Sequence, residues 1–257
     1  MKKHIQILSV PRHGTSYLSF VLRRYHAPST WDIKNKFIKH KSVCNEPFHH
    51  DALTIRKHDL DSKQFQIESL KLIEQMNESV IKNHSDHLIT LSDNGLLDRF
   101  KKLDTYNIVL IRKNIFNATL SQAIAILKNE WTNHVNHDSI YVDMETFKQS
   151  LEHQIKSLLQ ISYNPCNFNY DQIIYFEDLS FNPREDYVRC NFHQRPIYQI
   201  GQIKIPDNLF KSPNKKKVAV NYDELFNFTT DFISNHKQDR LEFDNNILQH
   251  INFLKDK

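Results

Sequence analysis

Short unbroken apolar runs alternate along this chain with longer stretches whose apolar positions recur every three or four residues. HIQILSV (4–10) is a run of the first kind and predicts a strand. Residues 16–24 predict a helix, with Leu18, Val21 and Leu22 on one face. Residues 26–64 show no period and are rich in His, Lys and Pro. FQIESLKLIEQMNESVIKNH (65–84) predicts one helix, because Ile67, Leu70, Ile73, Met76 and Val80 fall near one face. HLITL (87–91) predicts a strand; the turn SDNG and a short helix around Leu96 to Lys102 follow. NIVLI (107–111) is β-branched and bounded by polar residues, as in a strand buried on both faces. Helices are predicted over Ile115–Trp131 and about Glu145–Ser162, the second with Phe147, Leu151, Ile155, Leu158 and Leu159 in its stripe. DQIIYF (171–176) predicts a strand. Residues 215–228 predict a basic loop, a short extended piece and a helix start, with a long helical tail beyond.

Alternating strands and helices with continuous apolar strands imply an α/β fold: a central parallel sheet flanked by helices. No repeat, low-complexity tract or Gly/Ser linker interrupts the chain. A single domain over residues 1–257 is therefore expected, mostly helical from about 222.

Composition narrows the partners. The chain has 257 residues, 39% of them hydrophobic, and a formal net charge of +4. That charge suits a polyanionic ligand and is too small to indicate nucleic acid. No apolar run approaches the ~20 residues of a membrane span. The apolar stretch after Met1–Lys3 is too short for a signal sequence and ends in Pro11–Arg12, with no small-residue cleavage site. Cys44, Cys166 and Cys190 form no CxxC pair and are odd in number, so the expected setting is a reducing cytoplasm, the host's if the chain is phage-encoded.

Two stretches carry candidate chemistry. In PRHGTSYL (11–18), a strand runs at once into a turn holding Arg12, His13, Gly14, Thr15, Ser16 and Tyr17, and then into a helix. Such a turn aims free N–H groups and the positive end of a helix at the carboxyl edge of a parallel sheet, where anions bind. The GxxxxGK[ST] and GxGxxG spacings are both absent. The same residues also suit a plain capped turn with a surface arginine. In NIVLIRKNIFNATLSQAIA (107–125), Arg112 follows directly on a strand, and Ser121 lies nine residues later in the next helix. A guanidinium and a hydroxyl there make a second phosphate site. The alternative is an arginine paired with an acid and a serine facing solvent.

Together these stretches resemble the sulfotransferases that use 3′-phosphoadenosine 5′-phosphosulfate (PAPS). PRHGTSYL is similar to their 5′-phosphosulfate loop and IRKNIFNATLSQA to their 3′-phosphate site. IIYFEDLSFNP (173–183) resembles the strand that commonly follows, and KKKVAVNYDEL (215–225) the late basic loop of the bacterial carbohydrate branch. The order matches the family's over residues 5 to about 228. The resemblance implies a P-loop-NTPase-like sulfotransferase fold, PAPS as co-substrate without a metal, and a carbohydrate or small-molecule acceptor bearing a hydroxyl. There are departures. His13 stands where a small residue is usual. Leu120 occupies the position of the serine in many cytosolic and Golgi members, and a spacing of nine is similar to the trehalose-sulfotransferase type. The histidine base of the steroid and phenol branch has no counterpart in ITLSDN (89–94).

The resemblance also supplies roles. Arg12, with His13, Thr15, Ser16, Tyr17 and the loop amides, would hold the phosphosulfate, Arg12 would also neutralise the charge on the departing phosphate, and Gly14 would let the backbone approach it. Arg112 and Ser121 would hold the 3′-phosphate, and Lys215–Lys217 would close over the nucleotide or form a solvated loop. Glu46, in SVCNEPFHHD (42–51), matches the proposed base of the bacterial branch, with His49 and His50 ranked behind it. His134 and His137 read as a surface pair, Trp131 as core packing or an acceptor platform, and Glu177 with Asp178 as capping residues. The competing functions are a nucleotide-dependent phosphotransferase and a non-catalytic anion- or nucleic-acid-binding protein.

Overall fold

A computed structural model describes residues 4–15, 18–19, 48, 61–76, 79–129, 139–163, 166–178, 180–182, 187–189, 191–192, 195–196 and 218–235. Its elements run β1 (His4–Ser9), α1 (Ser62–Gln75), β2 (Ser79–His84), α2 (Ser85–Asp93), α3 (Leu97–Lys101), β3 (Thr105–Ile111), α4 (Ile115–Lys128), α5 (Met144–Tyr163) and β4 (Gln172–Tyr175). A 3₁₀ turn follows at Phe176–Asp178. Two small antiparallel pairs come next, β5 (Ser180–Asn182) with β6 (Tyr187–Arg189) and β7 (Asn191–Phe192) with β8 (Arg195–Pro196); α6 (Tyr222–Asn235) closes the described chain. The main sheet has the order β2-β1-β3-β4, and every pair in it is parallel. The α/β fold with a helix-flanked parallel sheet is thus present. Among the described residues no helix is long and apolar enough to cross a membrane.

One expected region is rearranged. The helix expected over 65–84 stops at Gln75, and Ser79–His84 is instead the buried outer strand β2. HLITL, expected as a strand, lies within helix α2. Val80 falls four residues after Met76, so the helical period runs on through a segment that is extended. The polar residues Ser79, Lys82, Asn83 and His84 are all buried in β2, which hides it from a hydrophobicity reading. The His4 imidazole meets Ser79 Oγ at 2.8 Å, which satisfies one of these buried groups. HLITL is short enough for either state. Its helical placement buries Leu88 and Leu91 and lets Thr90 Oγ1 donate to Asp86 O at 2.9 Å.

Both sheet faces are covered. Leu8, Val10, Ile81, Val109 and Ile111 pack with Leu70 and Ile73 of α1, Leu88 and Leu91 of α2, and Leu151 and Leu158 of α5. Phe48 is fully buried in the same cluster, edge-on to Phe100 at 5.0 Å between centroids. Ile5, Ile7, Ile108, Leu110 and Ile174 form the opposite face, with Leu18 and Phe176. A third cluster joins Phe116 and Leu120 of α4 to Phe147 of α5 and Leu225 of α6. Local caps fix the helix starts. Asp61 accepts from Gln64 N–H at 2.8 Å for α1, and Asp143 from Thr146 N–H at 2.8 Å for α5. Asn221, before α6, takes the N–H of Val142 at 3.1 Å and donates to its carbonyl at 2.9 Å. The Asn-Tyr-Asp-Glu-Leu stretch therefore ties α6 to the segment ahead of α5.

Candidate anion site at the carboxyl edge

The parallel register sets the site. Ser9 stands opposite His84 and Leu110, and Ile111 opposite Tyr175, so the four strands end along one edge. The chain leaves β1 toward β2 on one side and leaves β3 toward β4 on the other. The crevice between the carboxyl ends of β1 and β3 is therefore the topological switch point, where open α/β sheets bind ligands. Arg12 and Arg112 follow those two strands.

The turn after β1 is tight. Ser9 Oγ donates to Leu110 O at 2.7 Å and pins the end of β1 to β3. Arg12 has φ of 69° and Gly14 of 88°. A left-handed arginine costs about 1–2 kcal/mol, strain of a kind that collects at functional sites. The helical turn then begins, with Leu18 N–H donating to Gly14 O at 3.1 Å, and Thr15 is buried in it. Gly14 is required twice, by its φ and by the Phe176 ring, which a Cβ at this position would overlap. On the side where a side chain would project, Gly14 packs against the Phe176 ring.

The two predicted half-sites meet. Arg12 Nε donates to Ser121 Oγ at 3.0 Å, across 109 residues of sequence. Ser121 was assigned with Arg112; its hydroxyl faces Arg12, so the two groups share a wall. Burial first, and then the charge of Arg112, lower the pKa of Arg12. The guanidinium of Arg112 stacks on Phe176, 5.1 Å from the ring centroid, and lies 3.9 Å from Glu177 Oε1. Glu177 Oε2 accepts from Lys113 N–H at 2.9 Å and its Oε1 from Asn114 N–H at 3.1 Å. The expected capping role of Glu177 is thus exercised on the loop before α4, while Asn114 caps α4 itself through Asn117 N–H at 2.8 Å. Arg12, Arg112 and Glu177 together leave one net positive charge at the crevice. That potential, in a partly desolvated setting, favours a polyanion.

His13 faces neither an anion nor solvent. Its ring is fully buried. Nδ1 accepts from Arg112 N–H at 2.9 Å, and Nε2 meets Gln154 Oε1 at 2.9 Å. Burial lowers its pKa to about 3 against a raising contribution from the Gln154 hydrogen bond, with Arg112 and then His84 lowering it further. The side chain braces the site from behind and does not line it. Ser16, Tyr17, Glu46, His49, His50, Trp131, His134, His137 and Lys215–Lys217 lie outside the described residues.

Gln154, Gln122 and Phe176 were missed from sequence. Gln154 did leave a signal: it sits within the buried stripe Phe147, Leu151, Leu158 and Ile161 of α5, an amide where the pattern calls for an apolar residue. Gln122 sits likewise on the buried face of α4. Among the described residues, no group of three His, Cys, Asp or Glu side chains is placed to hold a metal ion. No family model, no curated protein and no solved structure matches the chain.

Proposed function

We propose that the protein is a PAPS-dependent sulfotransferase acting on a hydroxyl of a carbohydrate or small molecule. The observation that supports it best is the convergence of Arg12, Arg112 and the Ser121 hydroxyl at the β1/β3 switch point. Two guanidiniums from two different strand ends suit a nucleotide with phosphate at two positions, which fits PAPS better than a single terminal phosphate chain. The sequence resemblance supplies the sulfuryl chemistry.

In this reading the acceptor oxygen attacks sulfur and the bond from sulfur to the bridging phosphate oxygen breaks. Its electron pair leaves with adenosine 3′,5′-bisphosphate. Arg12 stabilises the charge growing on that phosphate, and Glu46 takes the acceptor's proton. The transition state is loose, by analogy with phosphoryl transfer. Calorimetric titration tests the reading. Tight binding of adenosine 3′,5′-bisphosphate, lost in Arg112→Ala, is the expected result, and preference for ATP–Mg²⁺ overturns it. Glu46→Gln should abolish transfer from labelled PAPS and spare bisphosphate binding.

A further inference from the structure

A glutamine in the middle of an apolar helix stripe is a liability unless its amide is satisfied. Gln154 is fully buried on α5, and its bonds reach 141 and 143 residues back to the turn after β1. Its Nε2 lies 3.0 Å from Pro11 O and also donates to Gln122 Oε1. A carbonyl oxygen only accepts, so the atom facing Pro11 must be the amide nitrogen. Oε1 is then the atom facing His13, and His13 Nε2 must carry a hydrogen. The other end agrees independently. A backbone N–H only donates, and that of Arg112 points at His13 Nδ1 at 2.9 Å. Both ends impose the same tautomer: Nε2 protonated, Nδ1 bare. The chain continues outward, since Gln122 spends its oxygen on Gln154 and offers its nitrogen to His153 Nδ1 at 3.2 Å.

From this geometry we infer that Gln154, acting through His13, is a positioning residue that sets the separation of Arg12 and Arg112 at the anion site. The inference rests on the proposed site. Arg12 is flanked by Pro11, whose carbonyl Gln154 holds, and by His13, whose ring Gln154 holds. The same ring holds the backbone of Arg112. One amide thus clamps both half-sites and maintains the left-handed backbone at Arg12. It touches no ligand; it fixes where the two cations stand.

The test uses the full chain, calorimetry with inorganic pyrophosphate and with adenosine 3′,5′-bisphosphate, and thermal unfolding as a check on the fold. Gln154→Met fills the same space without the hydrogen bonds and should weaken both ligands about tenfold. Gln154→Glu keeps an acceptor for His13 Nε2, turns its other oxygen against Pro11 O and Gln122 Oε1 and so weakens binding at every pH, and adds charge that favours the imidazolium. Protonation would take the acceptor from Arg112 N–H. The ligands themselves gain protons in this range, which lowers affinity for every variant alike; between about pH 8 and about 6 the affinity of Gln154→Glu should fall more steeply than that of wild type. A role confined to packing would not give that profile. A folded Gln154→Met with wild-type affinity, or a Gln154→Glu profile that runs parallel to wild type, overturns the inference and leaves the nucleotide reading standing. If wild type binds pyrophosphate but not the bisphosphate, and Gln154→Met weakens pyrophosphate, the nucleotide reading fails and the clamp survives. Failure of wild type to bind either overturns both. Should the variants not fold, nitrogen-15 spectra of the wild-type imidazole decide: a protonated His13 Nδ1 overturns the inference, and a bare one supports it.

Discussion

Two strand ends, each followed by an arginine, are built in opposite ways. The turn after β3 is held mainly through its backbone: Asn114 caps its own helix, Glu177 from the neighbouring strand end takes two N–H groups, and His13 takes that of Arg112. Arg112 lies on an aromatic face beside that carboxylate. The turn after β1 carries backbone strain at Arg12 and is held by side chains of α4 and α5, more than a hundred residues away. Its arginine is desolvated and feels the charge of the other. The β3 turn has no left-handed residue and carries its own helix cap, although His13 and Glu177 also hold its backbone. The β1 turn exists only because the rest of the fold imposes it. In the proposed function an incoming anion would therefore gain more at Arg12, where the desolvation of the cation has already been met by folding.

The largest test of this contrast is acid titration. The His13 pKa lies near 3 in the fold, below its ordinary 6.5, so the folded chain binds fewer protons than the unfolded one in that interval. Stability should be intact above about pH 6.5 and fall by about 1.4 kcal/mol per pH unit on the way down toward 3. The groups facing the ring are Arg112 from the β3 turn, His84 from the end of β2 and the neutral Gln154 from α5, and none offers a negative charge to offset protonation. Denaturant unfolding at a series of pH values measures the slope. His13→Gln should flatten it, and an unchanged slope in that variant would locate the acid sensitivity elsewhere. Second in size is anion binding. Arg12→Ala should lose roughly 2–3 kcal/mol of bisphosphate affinity, and Arg12→Lys should recover little, because lysine has no Nε to hold Ser121. Equal losses in Arg12→Lys and wild-type-like binding in Arg12→Ala are separable by calorimetry, and the latter would end the claim that the buried arginine matters more.

These long-range supports explain what was legible beforehand. Arg12, Arg112 and Ser121 were marked by position: each stands at a strand end or on the helix that follows. The parallel sheet was readable because β1, β3 and β4 are apolar enough to declare themselves. β2 was not, since Ser79, Lys82, Asn83 and His84 are buried in it, and the partners of Ser79 and His84 on β1 are revealed by no local pattern. The braces were illegible for the same reason. A buried amide announces itself as an exception in a helical stripe, but its partners across 141 residues are fixed only by the sheet order. Phe176 read as the end of a strand; its contact with Gly14 depends on β4 lying next to β3.

That contact supplies the third test. Gly14→Ala should cost roughly 2–3 kcal/mol, combining the left-handed backbone with overlap of the new methyl and the Phe176 ring. In the double variant with Phe176→Ala the overlap disappears and the backbone cost of about 1 kcal/mol remains. Additive losses in urea unfolding would mean that the ring does not press on the turn, and the β1 end would then owe less to distant parts of the chain than the comparison holds.

The smallest effect belongs to the locally built side. Glu177 sits half a charge network away from the crevice, 3.9 Å from Arg112 and partly exposed, so its pairing is worth little to stability. Glu177→Gln keeps one acceptor oxygen for the backbone amides of Lys113 and Asn114 and removes the negative charge. Thermal stability should change by less than about 1 kcal/mol. Bisphosphate affinity should rise about two- to threefold at low salt and converge with wild type at high salt, since the effect is a screened repulsion. A drop in affinity would show that Glu177 orients Arg112 for the ligand, and the β3 turn would then depend on its neighbour as strictly as the β1 turn depends on Gln154.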